Sequence, residues 1–363
     1  MIFYFLFFII VILLSINYPL KFKLNNLNNN PTLNYNPFYF TLLFISTVLG
    51  FRYDVGTDFM SYIHFFERYK FGINPPDLEF GYELINKLTI YLGLDSWFVF
   101  FISAFLINFL ILKTIKNNSN NFLLSVIILF GTGFIFLQIN IIRQSIAIAF
   151  TFYGAKYIVS RDFKKYILFC VLGMMFHFTA FIMIPFYWIA NIKWNKTILL
   201  LGLFLSLILF LQPNILNVIV KKFLEMFTIP EYEYYIKIIF EKSGGVNSGY
   251  RVIFEGLFAF IFILLTPKEM YKYIKGKIYF NFFALSYMSN MLFGRFYVVS
   301  RVTLYFSIFQ TLFFPYFIYN IPANKKNKAL LATLTMIYFS FWTVWAINGN
   351  SHDILPYKFV FNR

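Results

Sequence analysis

The sequence predicts an all-α, polytopic integral membrane protein, and three observations carry that expectation. Of 363 residues, 60% are hydrophobic and only 13% charged, where a soluble domain carries about 25% charged residues. Apolar runs approaching the bilayer-crossing length of about 20 residues recur along the whole chain. Short loops bearing Lys and Arg separate them, the pattern that orients membrane helices. So little charge cannot cover a water-facing surface of this size, which excludes a soluble globular enzyme, and the hydrophobicity excludes disorder.

The runs can be taken in order. The first, 2–16, has no basic residue ahead of it and no small-residue cleavage site, so a retained span is expected in place of a signal peptide. A polar, Asn-rich linker, 25–36, follows. Further spans are expected near 38–51, 97–112, 122–137, 141–159, 166–190, 197–212, 252–266, 278–293, 298–319 and 329–347. They amount to about 11–12 crossing segments in a single membrane domain, 1–363, with no internal repeat. Two long mixed-charge loops, 52–95 and 213–250, interrupt the pattern.

The net charge of +16 acquires meaning once it is sorted by loop. Basic residues lie in short clusters between apolar runs, which argues against a nucleic-acid partner and for cytoplasmic loops. Placing Lys21/Lys23, Lys113/Lys116, Lys156–Lys165, Lys193/Lys196, Lys268–Lys277 and Lys325–Lys328 inside assigns nearly all of the +16 to the cytoplasmic side. That sorting requires 166–190 to cross an even number of times, as two short arms turning near Met174–Thr179. Both long loops then face outward. The first contains two amphipathic stretches, 59–70 with Phe59, Ile63 and Phe66 on one side, and 79–92 with Phe80, Leu84 and Leu88, separated by Pro75-Pro76. Such helices lie in the membrane interface, here as a lid over an outward-facing cavity.

Chemistry can sit in four places. The densest polar cluster is Phe51–Tyr62, where Arg52, Asp54 and Asp58 fall within seven residues. They suit acid–base work, a cation site or a sugar clamp; the bland alternative is Asp58 or Thr57 as a helix cap and Arg52 as an anchor, with Gly56 permitting the turn. Arg143 interrupts FLQINIIRQSIAIAF, and a charge at membrane depth marks a functional pathway by default. Arg295 and Arg301 flank the start of the 298–319 run, with Tyr297, Arg301 and Tyr305 four apart. Arginine suits phosphate because its planar fork donates two parallel hydrogen bonds, and a structural pair with Asp54, Asp58 or Glu255 is the rival reading. Arg251 and Glu255, four apart, are expected to pair with each other. His177 sits at the apex of the paired arms, as a base, a ligand for a phosphate oxygen or a hydrogen-bonded core residue. The only cysteine is Cys170, and the three histidines are far apart, so neither a disulfide framework nor a metal site is expected. Nucleotide loops, serine elbows and HExxH are absent, and no cofactor is implied.

In order, FRYDVGTDFMSY (51–62), EFGYELIN (79–86), IRQSIAIAF (142–150), FHFTAFIMIP (176–185), SRVTLYF (300–306) and ILPYKF (354–359) resemble the EpsG family of Wzy-like polysaccharide polymerases. One departure is Thr179, where the family more often has Ser. The resemblance implies a multi-pass protein of the bacterial cytoplasmic membrane with its active site facing outward. It would join oligosaccharide units carried on undecaprenyl diphosphate into capsule, exopolysaccharide or O-antigen, with a chain-length regulator and a flippase as partners. Arg143 and Arg301, with Arg295, would bind the leaving diphosphate, and His177 or Asp54/Asp58 would take the acceptor proton. Arg52 and Tyr62 would shape the sugar site. Two rivals are a membrane glycosyltransferase that moves one sugar from a lipid phosphate, and a non-enzymatic lipid-oligosaccharide flippase.

Overall fold

A computed structural model describes residues 1–16, 36–73, 78–225, 249–296 and 299–361. Most of the 25–36 linker, Pro75-Pro76, Tyr297 and much of the 213–250 loop lie outside the described residues. The described residues are helical, with no strand among them. Helices follow the apolar runs: Ile2–Ser15, Pro37–Gly50, Ser96–Asn118, Lys196–Leu211, Gly249–Leu265, Ile274–Phe293 and Lys325–Asn348. Besides 166–190, taken up below, three runs are interrupted. Run 122–137 divides into Phe122–Gly131 and Phe134–Leu137 around Gly133, whose positive φ of 78° no helix accommodates. Run 141–159 divides into Ile142–Gly154 and Lys156–Val159, and 298–319 into Val299–Thr303, Leu304–Ser307 and Gln310–Asn320.

By length and composition, three helices can each cross a membrane: Ser96–Asn118, Val299–Asn320 taken through its breaks, and Lys325–Asn348. The pair Lys196–Leu211 and Pro213–Lys222, bent by 104°, passes the same test only when taken together, as a broken span or a re-entrant loop. Pro213 accounts for the bend, since the residue before a proline is disfavoured in helical geometry, and Gln212 is non-helical (φ −113°, ψ 70°). Continuous apolar faces are left exposed, Leu201, Phe204, Leu205 and Leu211 on one helix and Leu330, Leu334, Ile337 and Phe341 on another. A water-soluble monomer does not present stripes of this length; the chain is an integral membrane protein.

The bundle has two chemically different ends. Ser96–Asn118 starts where Trp97 stacks on Phe51 and ends where Lys113 and Lys116 lie over the Phe38 ring. At 1.5 Å per residue its 23 residues separate those ends by about 35 Å. Three other helices that reach the polar cluster or the cavity described below carry lysines at the opposite terminus: Lys164/Lys165 on Phe163–Met174, Lys275/Lys277 on Ile274–Phe293, Lys325–Lys328 on Lys325–Asn348. The basic loops also meet one another. Lys277 Nζ donates to Asn191 O (2.7 Å), Asn281 Nδ2 to Ala190 O and Ile192 O (2.9 Å each), and Lys196 Nζ to Leu264 O (2.7 Å).

Segment 163–190 is a hairpin. Phe163 packs on Tyr187 and Trp188, and the Tyr166 hydroxyl donates to Met183 O (2.7 Å), so Phe163–Met174 and Phe178–Ile189 run antiparallel. The turn occupies Met175–His177, as the sorting of basic loops required. The two amphipathic helices form as Phe59–Lys70 and Phe80–Tyr91. The first buries Phe59, Tyr62, Phe66 and Tyr69. The second turns Tyr82, Asn86 and Thr89 inward and leaves Phe80, Leu84, Leu88 and Tyr91 exposed, an apolar stripe free to face lipid.

The C-terminal segment closes over the 51–58 loop. Tyr53 N donates to Lys358 O, Gly56 N to Asp353 O and Val360 N to Phe51 O, while Tyr357 stacks on Phe3 at 3.9 Å. Gly56 has φ +98°, and a Cβ there would run into Asn140 Oδ1, so this turn requires glycine.

Candidate functional site

Three side chains from segments far apart in sequence converge at the hairpin tip. Arg143 is the second residue of Ile142–Gly154. The start of that helix is pinned by Tyr62, whose hydroxyl donates to Asn140 O (2.8 Å) and accepts from Ile142 N (3.0 Å). His177 occupies the turn with extended backbone, immediately before Phe178–Met183. Glu79 precedes Phe80–Tyr91 and is drawn to the tip by Gly81 N, which donates to Met175 O (2.7 Å). A Cβ on Gly81 would sit 2.9 Å from Met175 O and from the Phe176 ring, so glycine permits this approach.

Glu79 bridges the other two. Its Oε1 lies 2.8 Å from His177 Nδ1, and its Oε2 accepts from Arg143 Nη1. The three side chains are 20–29% exposed, shielded from bulk water yet reachable by a solute. Burial pushes the Glu79 carboxyl upward, but the hydrogen bond to His177 and the charge of Arg143 outweigh it and hold the group below the usual glutamate range. With Nδ1 held by a carboxylate, the imidazole presents Nε2 outward, the arrangement that lets a histidine exchange a proton in a fixed orientation.

A cavity of about 440 Å³ adjoins this cluster. Arg301, Arg251, Glu255, Asn290 and Gln310 line it, with His352 and Asp353 at an exposed rim. Arg251 Nε donates to Glu255 Oε1 (2.9 Å), and Asn290 Nδ2 to Glu255 Oε2 (2.6 Å). Asn140 and Ile141, just ahead of Arg143, form part of the wall. Across that wall Gln144 Nε2 donates to Arg301 O (3.4 Å), and Thr179 Oγ1 meets the Tyr305 hydroxyl at 3.0 Å. Either Ser or Thr supplies that hydroxyl, so the departure at Thr179 leaves the contact intact.

The remaining expected site residues fall elsewhere. Arg52 is 2% exposed and donates to Leu49 O, Val55 O and Ile139 O while its guanidinium lies over the Phe100 ring. It anchors the loop through backbone carbonyls, at a residue expected in a sugar site. Tyr62 is buried with its hydroxyl engaged on both sides, so it positions the start of the Arg143 helix. Asp54 is about half exposed and pairs with Lys358 (2.7 Å), away from His177. Asp58 accepts from Thr57 Oγ1 (3.3 Å) and makes no capping hydrogen bond to the helix that follows it. Arg295 lies over Phe210 (4.3 Å) and does not line the cavity. The expected lid is also displaced: neither amphipathic helix lines the cavity, and the second instead brings Glu79 over His177. Sequence reasoning missed Glu79. The available signal was an acidic residue two positions before a glycine at a helix start, in the EFGYELIN motif.

Residues 35–359, all but the ends of the chain, match the EpsG family. The chain belongs to the EpsG family. Neither a curated protein nor a solved structure matches it significantly. In this EpsG protein, the six motifs that carried the resemblance are brought together by folding. FRYDVGTDFMSY is closed over by ILPYKF, while EFGYELIN, IRQSIAIAF and FHFTAFIMIP each contribute one member of the Glu79–Arg143–His177 cluster.

Proposed function

We propose that this EpsG protein polymerises lipid-diphosphate-linked oligosaccharide units at the outer face of the bacterial cytoplasmic membrane, which it would cross with about 11–12 segments. The Glu79–Arg143–His177 cluster carries the reading. It lies at the end of the bundle away from the basic loops, and basic loops favour the cytoplasm. Membership of the EpsG family supports the same class of chemistry.

The reaction forms a bond from an acceptor sugar oxygen to the anomeric carbon of a donor and breaks the bond from that carbon to the diphosphate. His177 Nε2 takes the acceptor hydroxyl proton as the new bond forms. Glu79 holds Nδ1–H and stabilises the imidazolium that results. Arg143 and Arg301 donate to the leaving lipid diphosphate, where negative charge develops in the transition state. The product would be capsule, exopolysaccharide or O-antigen, and the lipid carrier undecaprenyl diphosphate. A flippase would deliver the units and a chain-length regulator would set their number.

The test is deletion of the gene with analysis of lipid-linked material and polymer. Single lipid-linked units should accumulate while the polymer ladder disappears, and expression of the wild-type chain should restore it. Loss of one sugar within each unit, with polymerisation intact, would indicate a single-sugar transferase. Units trapped on the cytoplasmic leaflet would indicate a flippase.

A further inference from the structure

The cavity beside the cluster has a composition that the chemistry at His177 does not explain. In a chain with only 13% charged residues, it gathers polar side chains from segments as distant as Thr57, Asn140, Glu255, Asn290, Ser307 and Gln310. Tyr338 and Trp342 supply aromatic surface. Its volume, about 440 Å³, falls within the roughly 300–1,000 Å³ typical of small-molecule sites.

The charges in the wall argue about what it holds. Arg251 is tied to Glu255 at 2.9 Å and packs over the Trp342 ring at 4.6 Å, so its charge is compensated in place. The second Glu255 oxygen accepts from Asn290. Arg301 is balanced in formal charge by Asp353 at the rim. Away from Arg301, an anion entering here would meet the Glu255 carboxylate, a like-charge juxtaposition that disfavours anions. An uncharged, hydroxyl-rich molecule would find donors and acceptors beside an aromatic face. Its position adds direction. None of Glu79, Arg143 and His177 lines the cavity, but Asn140 and Ile141 belong to its wall and Arg143 follows two residues later, so one short stretch of backbone separates cavity and cluster.

We propose that this cavity is a subsite for uncharged sugar residues of the lipid-linked oligosaccharide, recognised by Glu255 and Asn290 and packed against Tyr338 and Trp342. The assignment rests on the polymerase reading above and adds which part of the substrate this cavity holds. The diphosphate belongs on the Arg143 side of the shared wall, and Arg301 marks the junction.

The experiment uses the full-length protein in lipid nanodiscs. Its probe is the oligosaccharide released by mild acid from the lipid-linked unit that accumulates in cells lacking the protein. Titration calorimetry should detect binding to the wild type, and inorganic diphosphate should not displace it. Asn290→Ala should weaken binding at least tenfold, and Asp54→Asn, at the half-exposed pair with Lys358, should leave it within twofold. Ser307→Leu fills the cavity from a half-buried wall position, should also weaken binding at least tenfold, and keeps the test decisive where Asn290→Ala does not fold. Equal binding by the wild type and Ser307→Leu, or displacement by diphosphate, overturns the subsite while leaving the polymerase reading standing. Absence of any accumulated lipid-linked unit overturns the polymerase reading, and the sugar assignment with it.

Discussion

Glu79→Gln is the substitution that most directly tests the proposed chemistry. It preserves the shape of the side chain and removes its charge. In the wild type one carboxylate oxygen meets His177 Nδ1 at 2.8 Å and the other accepts from Arg143. Glutamine keeps one acceptor oxygen and replaces the other with an NH₂ that cannot accept. One charge-assisted bond, about 1.5–3 kcal/mol, is lost, and the other falls to a neutral bond of about 0.5–1.5 kcal/mol. All three side chains are 20–29% exposed, so water compensates in part and the lower ends of these ranges apply. The sum is then about 2.5 kcal/mol. The Glu79–His177 interaction strengthens as the imidazole takes a proton, so most of that energy belongs to the transition state. At about 1.4 kcal/mol per factor of ten, turnover should fall about 50-fold. The assay is polymer-ladder formation by purified protein supplied with the lipid-linked unit, protein amounts being matched. Residues acting as one device are non-additive, so Glu79→Gln combined with His177→Ala should be no slower than His177→Ala alone. A Glu79→Gln variant with more than one third of wild-type turnover, or a double variant showing the product of the two single losses, would refute the relay.

Three further outcomes follow from the geometry. Tyr62→Phe removes the hydroxyl that serves both Asn140 O and Ile142 N, and should cost about 1–3 kcal/mol of stability, read as a lower unfolding midpoint in detergent; an unchanged midpoint would count against its pinning role. Asp54→Asn breaks only the half-exposed pair with Lys358, worth less than about 1 kcal/mol, and should leave turnover within twofold, where a hundredfold loss would restore Asp54 as an acid–base residue. Acid should disable the cluster in a defined window. Because the folded Glu79 carboxyl is held below its unfolded value of about 4.3, its contribution is fully present above that value and lost as pH falls through the depressed folded one. The acid limb of thermal stability below about pH 4.5 should therefore be shallower in Glu79→Gln than in the wild type.

Much of the fold could be read from residue type and spacing, because each helix is specified by neighbours in sequence. The hairpin apex followed from loop charge, and the 59–70 helix from its periodicity. The Arg251–Glu255 pair followed from i,i+4 spacing. The site was legible only in part, because its members meet through folding. Glu79 lies 64 positions from Arg143 and 98 from His177, and nothing in its own segment marks those partners. Arg52 misled for the same reason. Two of its carbonyl partners are local, but Ile139 O is 87 positions away, and an arginine satisfied by backbone looks in sequence like an arginine awaiting a substrate. The Arg251–Glu255 pair was read correctly as a pair, yet its place in a cavity wall depends on helices that sequence alone does not bring together.

The breaks in the apolar runs and the location of the site have one physical origin. Several runs predicted as spans are shorter or interrupted in the structure, and apart from the breaks at Ala155 and Gln212 the main interruptions gather in one place. The Thr132–Gly133 break, the 138–141 turn, the Met175–His177 tip, Gly294, the 299–303 segment and the 349–353 turn all have residues at the cluster or in the cavity wall. In hydrocarbon a backbone group without a partner costs several kcal/mol, so non-helical backbone at that depth survives only inside protein or beside a water-filled cavity. A bundle that needed only to cross the bilayer would gain nothing by interrupting so many segments at one level. Interruption at a shared level frees backbone carbonyls, as at Asn140 and Arg301, to bind side chains from other segments. It also turns helix starts such as Ile142 toward the site, with Arg143 one residue beyond. The glycines and polar residues that break the hydrophobic pattern, Gly131-Thr132-Gly133 and Gly294 among them, are therefore the sequence's own marks of where the cavity lies, and of where the proposed chemistry would be placed.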